Sequence, residues 1–395
     1  MNKGMLIAAA LSVALSLLAF PAAAQTQKIE AARDGAIDQM VSDISLSAFE
    51  VEQSGGKSVA TFEYSHPGES GKPTRYLRVL IDELVLGAGD QFTVSGVNLS
   101  STDTLNGQVF TGPMEITKPF LTDLVYGDSL KLTLASMKLD AARVHIPNFV
   151  YEEVPPDPQL SIFDNDDREN FADITDPLLK VTGGSVVFLA FMDEEGTPRV
   201  CSGFLINPTM IMTNDHCVNT AAKCSTTTVV FDYLMVDGVI TMGKQRRCVA
   251  VRDALTALDF AVIEMDQPVT DAAPIALAET DAAPDVPAFL VQHPGGEHKQ
   301  LSQLGCQSVD ALAPGLDPVQ ITDFTHRCDT LGGSSGSPVI VAAGDGAGKR
   351  FCVTGLHHLG FDAFGAYLTK NRAVKISLIV SRLRRDSIQF VSCGQ

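Results

Sequence analysis

The residues with the most to offer chemically are serine, histidine and aspartate, in three short segments far apart along the chain. Gly332-Gly333-Ser334-Ser335-Gly336-Ser337-Pro338-Val339 sets three serines among three glycines and then enters the apolar Val339-Ile340-Val341. Such a composition often makes a flexible linker. It equally suits a serine nucleophile, because glycine lets the backbone come close to a substrate. Acyl transfer by serine needs a base for the hydroxyl proton, a carboxylate to hold the resulting imidazolium and donors for the oxyanion. The base is available at His216, in Met212-Thr213-Asn214-Asp215-His216-Cys217-Val218. The carboxylate is available at Asp259, in Ala257-Leu258-Asp259-Phe260-Ala261-Val262-Ile263. An aspartate among apolar residues is costly to bury alone, and an imidazole N–H is a suitable partner.

Short strands must position these segments. Period-two patterning at Tyr76–Ile81 and Leu130–Leu134, with Gly89-Asp90 and Gly127-Asp128 as turn signals, predicts a small all-β domain over residues 25–154. Lys28–Val41 is expected to form a short helix within it. Pro155-Pro156-Asp157-Pro158 and the acidic Asp164-Asn165-Asp166-Asp167 mark a solvated linker over 155–178. The acidic run lacks the glycine and terminal glutamate of a calcium loop. From residue 179 to 395 the pattern is again short strands, as at Val186–Ala190 and Val229–Phe231. A helix is expected at the end, where Ile376, Ile379, Val380 and Leu383 recur at helical spacing.

Composition narrows the function classes. A formal net charge of -18 over 395 residues argues against nucleic acid and anionic membrane as partners. Residues 1–24 read as a signal peptide: Lys3, the apolar Leu6–Phe20, then Pro21-Ala22-Ala23-Ala24 as a cleavage pattern. The apolar run is shorter than the ~20 residues that span a bilayer. The mature protein is therefore expected to be exported, either secreted or periplasmic, and free of the membrane. Eight cysteines, all from Cys201 onward, suggest disulfides confined to the C-terminal part. No cysteine or histidine spacing suits zinc, and neither a metal nor a cofactor is expected.

Taken in order, Cys201-Ser202-Gly203-Phe204-Leu205-Ile206, Thr213-Asn214-Asp215-His216-Cys217, Leu258-Asp259-Phe260-Ala261-Val262-Ile263 and Gly332–Pro338 resemble the trypsin/chymotrypsin family of serine proteases. "GSSGSP" and "VTGLHHLG" look most like its bacterial extracellular, glutamyl-endopeptidase-like members. The resemblance spans roughly Val181 to Leu383. It implies an all-β fold: a two-barrel trypsin-like protease domain with a C-terminal helix, preceded here by a small β-sandwich-like domain that is an accessory module or a propeptide. It implies Ser335 as nucleophile, His216 as general base, Asp259 as its orienting carboxylate, and the N–H groups of Gly333 and Ser335 as the oxyanion hole. It also implies a Cys201–Cys217 bridge that pins the histidine loop; Cys306–Cys328, Cys224–Cys248 and Cys352–Cys393 complete the expected set.

The chain departs from the digestive members at Ser334, where they carry an aspartate that pairs with a new N-terminus. Lys180-Val181-Thr182-Gly183-Gly184 looks like their activation site but lies closer to Cys201 than their pattern allows. For the specificity pocket two hints diverge. Asp329 falls where trypsin keeps a pocket aspartate, or is a buried structural aspartate. His357 matches the histidine with which glutamyl endopeptidases receive an acidic side chain, or is an ordinary strand histidine. His293 reads as a turn residue, and His298, His326 and His358 as surface or packing residues. The expected function is an exported serine endopeptidase, a monomer acting on protein or peptide. The alternative is a catalytically inactive protease-like binding or adhesion protein.

Overall fold

The computed structural model describes residues 32–33, 35–66, 74–97, 107–153, 161–344, 348–360 and 370–394. The expected signal peptide lies outside them. Two β-sheets face each other at the N-terminal end. One holds the strands Gly35–Ser45, Thr74–Ile81, Glu83–Leu86 and Arg143–Glu153 with three short ones; the other runs Glu50–Ser54, Lys57–Ser65, Ser129–Ser136, Gln91–Gly96, Gly107–Thr111. The alternation read in the sequence is what builds this sandwich. Leu130, Leu132 and Leu134 turn inward while Lys131 and Thr133 stay at the surface side. They meet Leu77, Val79, Ile81 and Phe149 of the facing sheet in one apolar cluster.

Of the expected helix over Lys28–Val41, the described residues, 32–33 and 35–41, are instead strand. Ala32–Arg33 pairs with Arg199 and Val200, and Gly35–Ser45 pairs with Arg143–Glu153. Open edges of both sheets offer unpaired N–H and C=O groups, and those tertiary bonds outweigh a weak local helical pattern.

The strand Thr74–Ile81 is buried on both faces. Leu77, Val79 and Ile81 fill the sandwich, while Tyr76 and Arg78 lie against the next unit. Tyr76 and Leu124 pack with Phe188, Ala190, Val230 and Tyr233. Arg78 donates to the carbonyl oxygens of Thr122, Ala190 and Thr226 and to Thr228 Oγ1. A buried guanidinium needs such carbonyl acceptors, because its desolvation is otherwise uncompensated.

That next unit is a closed six-stranded barrel. Pro198–Asn207, Val186–Met192, Thr228–Val230, Gln245–Leu255, Phe260–Met265 and Met210–Thr213 follow one another, and the last pairs back with the first. A second set, Gln300–Ser302, Ala288–Gln292, Pro338–Ala343, Arg350–Leu359, Asn371–Lys375 and Asp323–His326, curls likewise, and bridges at Pro287–Gln307 and Ser308–His326 bring its ends together. An apolar seam of Phe204, Met212 and Val262 from the first with Val291, Ile340 and Leu356 from the second joins the two. The C-terminal helix, Ile376–Arg385, buries Ile376, Ile379, Val380 and Leu383, as the spacing predicts. The fold is all-β and trypsin-like, with a small C-terminal helix.

The stretch expected as a free linker is, from residue 161, laid against the second barrel. Ser161 and Thr330 exchange both backbone bonds, Glu169–Asn170 pairs with Gln300–Leu301, and Phe171 is buried. The helix Pro177–Gly183 follows, capped by Asp176, which accepts from the N–H groups of Leu178 and Leu179. Lys180 to Gly183 thus form the last turn of a helix, with Gly184 as its C-cap. The cysteines pair as Cys201–Cys217, Cys224–Cys248, Cys306–Cys328 and Cys352–Cys393. Four disulfides fit an oxidising, extracellular or periplasmic environment. No helix among the described residues is long and apolar enough to cross a membrane.

Candidate active site

The loop after Met210–Thr213 carries His216, and three constraints fix it. Cys217 is tied to Cys201 on the neighbouring strand. Asn214 Nδ2 donates to the Asp259 carbonyl at 2.8 Å, and the His216 N–H donates to Asp259 Oδ1 at 3.0 Å. Asp259 ends the turn Thr256–Leu258 in the left-handed region, φ 41°, which turns its carboxylate back toward the histidine loop. His216 Nδ1 lies 2.9 Å from Asp259 Oδ2 and 3.1 Å from Oδ1. His216 Nε2 is buried and has no hydrogen-bond partner among the described residues. Burial works to raise the Asp259 carboxyl, but the charge and bonds of His216, with those of His358, outweigh it and hold the group well below the usual carboxylate range.

Ser335 stands in a loop where glycine is required twice. Gly333 has φ +94° and Gly336 φ +88°. A Cβ on Gly333 would lie 2.9 Å from the His293 carbonyl oxygen, and one on Gly336 would collide with the Ser202 carbonyl and the Thr213 hydroxyl. The loop is therefore pressed against the strand of Cys201 and the end of the strand that leads to His216. Backbone bonds seal it: Ser202 N–H to the Ser335 carbonyl at 2.8 Å, Gly336 N–H to the His357 carbonyl at 2.9 Å, Gly295 N–H to the Gly332 carbonyl at 2.6 Å. Ser202 Oγ donates to the Gly333 carbonyl and accepts from the His293 N–H. Ser334 closes the loop on itself, its hydroxyl accepting from the Leu331 N–H. The amides of Gly333 and Ser335 donate to no acceptor among the described residues. The structure thus joins His216 to Asp259 and packs the Ser335 loop beside them, but no hydrogen bond links Ser335 Oγ to His216 Nε2.

The two pocket hints part company. Asp329 is buried with one oxygen accepting from the Phe163 N–H at 2.7 Å and the other from the Asp167 N–H at 3.1 Å. Burial raises its pKa, and these bonds oppose the rise in part. It anchors the 161–168 segment to the barrel, so its partners are those of a structural aspartate. His357 is buried and its Nδ1 lies 3.1 Å from His326 Nε2. Burial, then the neighbouring imidazoles, push both histidines down, His326 to about 3 and His357 well below its ordinary value. They form a neutral pair.

His326 and His358, expected at the surface or in packing, are both wholly buried and hydrogen-bonded. His358 Nδ1 lies 3.0 Å from Asp259 Oδ2 and its Nε2 lies 2.7 Å from Asp323 Oδ2. Burial alone would lower His358, but Asp323 and Asp259 prevail and raise it to about 9. Sequence reasoning missed Asp323 because its neighbours, Thr322 and Phe324, include a polar residue. The signal available was His357-His358 itself: two imidazoles in a row within a buried strand each need a polar partner.

Residues 201–348 match the family described as a trypsin-like peptidase domain. The chain carries a trypsin-like peptidase domain. The match takes in all the segments carrying His216, Asp259 and Ser335. The chain is also 27% identical over 173 residues to uncharacterized protein y4fB of Sinorhizobium fredii, a stretch covering 40% of this chain and 25% of the relative. It thus spans about a quarter of that relative's length. Among solved structures it is similar to the active form of the Rv3671c protease of M. tuberculosis, with TM-score 0.40 and 18% identity over 61% of this chain and 97% of that one. It is also similar to the scabies mite inactivated protease paralogue S-I1, with TM-score 0.41 and 14% identity over 52% and 96%.

Proposed function

We propose that this trypsin-like peptidase is an exported serine endopeptidase working through Ser335, His216 and Asp259. One observation carries the reading: His216 is held through Nδ1 and its own N–H by a buried carboxylate, which leaves Nε2 with no partner but an incoming proton. In the proposed cycle Ser335 Oγ attacks the scissile carbonyl carbon as His216 Nε2 takes the hydroxyl proton. The Gly333 and Ser335 amides receive the oxyanion. His216 then gives the proton to the leaving amine, and water, deprotonated in turn by His216, releases the acyl group and restores Ser335. The open Ser335–His216 bond is compatible with this, since catalytic hydrogen bonds often close only when substrate is bound. The same open bond is what favours the second reading, an inactive protease-like binding protein.

Each Asp329 oxygen already accepts a backbone N–H of the 161–168 segment, which weighs against a trypsin-like preference. Profiling with a peptide library separates these readings. We expect cleavage by the wild-type chain and a loss of roughly 10⁴–10⁶ in kcat for Ser335→Ala with the fold intact. Equal cleavage by both would overturn the assignment.

A further inference from the structure

The strand Arg350–Leu359 carries two neighbouring buried histidines with different partners, and His357 is the one bonded to His326. The other, His358, is enclosed between two carboxylates, with 1% of its side chain exposed. We infer that His358 is a positioning residue of the proposed active site, holding Asp259 from behind through a continuous Asp259–His358–Asp323 chain. The inference rests on the endopeptidase reading and adds to it a second imidazole on the same carboxylate.

Three features of the geometry support this. Asp259 Oδ1 takes both the N–H and Nδ1 of His216, while Oδ2 takes Nδ1 of His216 and Nδ1 of His358. The carboxylate is gripped from both sides and cannot turn without losing a bond. Next, an imidazole that serves two carboxylates must donate from both nitrogens and so carries a positive charge. Last, Asp323 is fixed in its turn, with Oδ1 accepting from the Thr322 hydroxyl at 2.9 Å. A cation beside Asp259 would by itself cancel the field that His216 relies on. Asp323 supplies the missing negative charge, so the resting cluster has two carboxylates and one imidazolium. Uptake of the serine proton by His216 adds the second cation and closes the count. An uncompensated charge in a buried site is costly, so the cluster favours that uptake.

The groups around His358 are Asp259 from the first barrel, which His216 shares, Asp323 and His326 from the strand next but one, and His357 on its own strand. Arg372 lies on the strand between, its Nη1 donating to the Pro314 carbonyl. With His326 and His357 neutral, Asp259 and Asp323 are the two groups that hold the proton on His358.

The test uses the full chain and two readouts. The first is the rate at which a fluorophosphonate modifies Ser335 between pH 6 and 11, for wild type, His358→Gln and His358→Ser/Asp323→Asn. The wild-type rate is expected to fall as pH passes about 9, where His358 loses its proton. The double variant should lose that alkaline limb and react roughly 10²-fold more slowly at pH 7.5. His358→Gln keeps an amide donor for Asp259 and should recover part of the rate but not the limb. The second readout is ¹⁵N NMR of the wild-type histidines, with His358 doubly protonated at pH 7.5. A folded double variant with the wild-type rate and limb, or a singly protonated His358, overturns the inference while the endopeptidase reading stands. A wild-type chain that resists the reagent at every pH overturns that reading, and the positioning role with it.

Discussion

The two barrels are built on the same plan and filled with different materials. The first has an interior of Val187, Leu189, Phe191, Leu205, Ile211, Val229 and Ile263, laced by Cys201–Cys217 and Cys224–Cys248. The second has fewer apolar residues, among them Leu290, Phe324, Val339 and Ala373, beside buried Asp323, His326, His357, His358, Asn371 and Arg372. One barrel is held by transfer of apolar surface from water, which is indifferent to pH. The other depends on hydrogen bonds and charge pairs that work only in one protonation state. Asp259 is where the two meet: it belongs to the first barrel, yet it is bonded by His216 from its own side and by His358 from the other.

The largest effect is expected at that meeting point. Asp259→Asn should lower kcat by roughly 10⁴-fold, since an amide presents His216 with the wrong partner while keeping its shape. Steady-state hydrolysis of a peptide found by library profiling measures it. Removal of an apolar side chain from the first barrel should act on stability alone. Leu205→Ala is expected to cost about 2–5 kcal/mol in denaturant unfolding, by the same amount at pH 7 and pH 10, with unchanged kcat.

The second barrel should instead respond to pH from both sides. His358 sits at about 9 when folded against an ordinary 6.5, so its contribution is whole below 6.5, declines as pH climbs above it and is gone beyond about 9. His326 sits at about 3, so the unfolded chain binds a proton that the folded chain refuses, and stability falls as pH drops below 6.5 toward 3. The unfolding midpoint should therefore peak near pH 6.5 and decline on each side. A midpoint flat from pH 4 to 10 would show that the buried histidines titrate as they do in water.

This contrast also explains what was legible in the sequence. Strands such as Tyr76–Ile81, Leu130–Leu134 and Val186–Ala190 announce themselves because burial follows a local period. Segments built around His216, Asp259 and Ser335 were legible because each chemistry-bearing residue stands in a distinctive local run. His358 lies on one strand and Asp323 and His326 on another, up to 35 residues away, and nothing local says that their side chains meet. The strand Gly35–Ser45 escaped for a related reason: its partner residues are 100 or more positions downstream. Asp329 was read from its offset to Ser335, and that offset cannot register that two amides of the 161–168 segment occupy it.

The most direct measurement is to treat the purified chain with a fluorophosphonate and locate the adduct by peptide mass. The account predicts one label per chain, on Ser335, that disappears in His216→Ala. A label on another residue, or one on Ser335 that survives loss of His216, would contradict it.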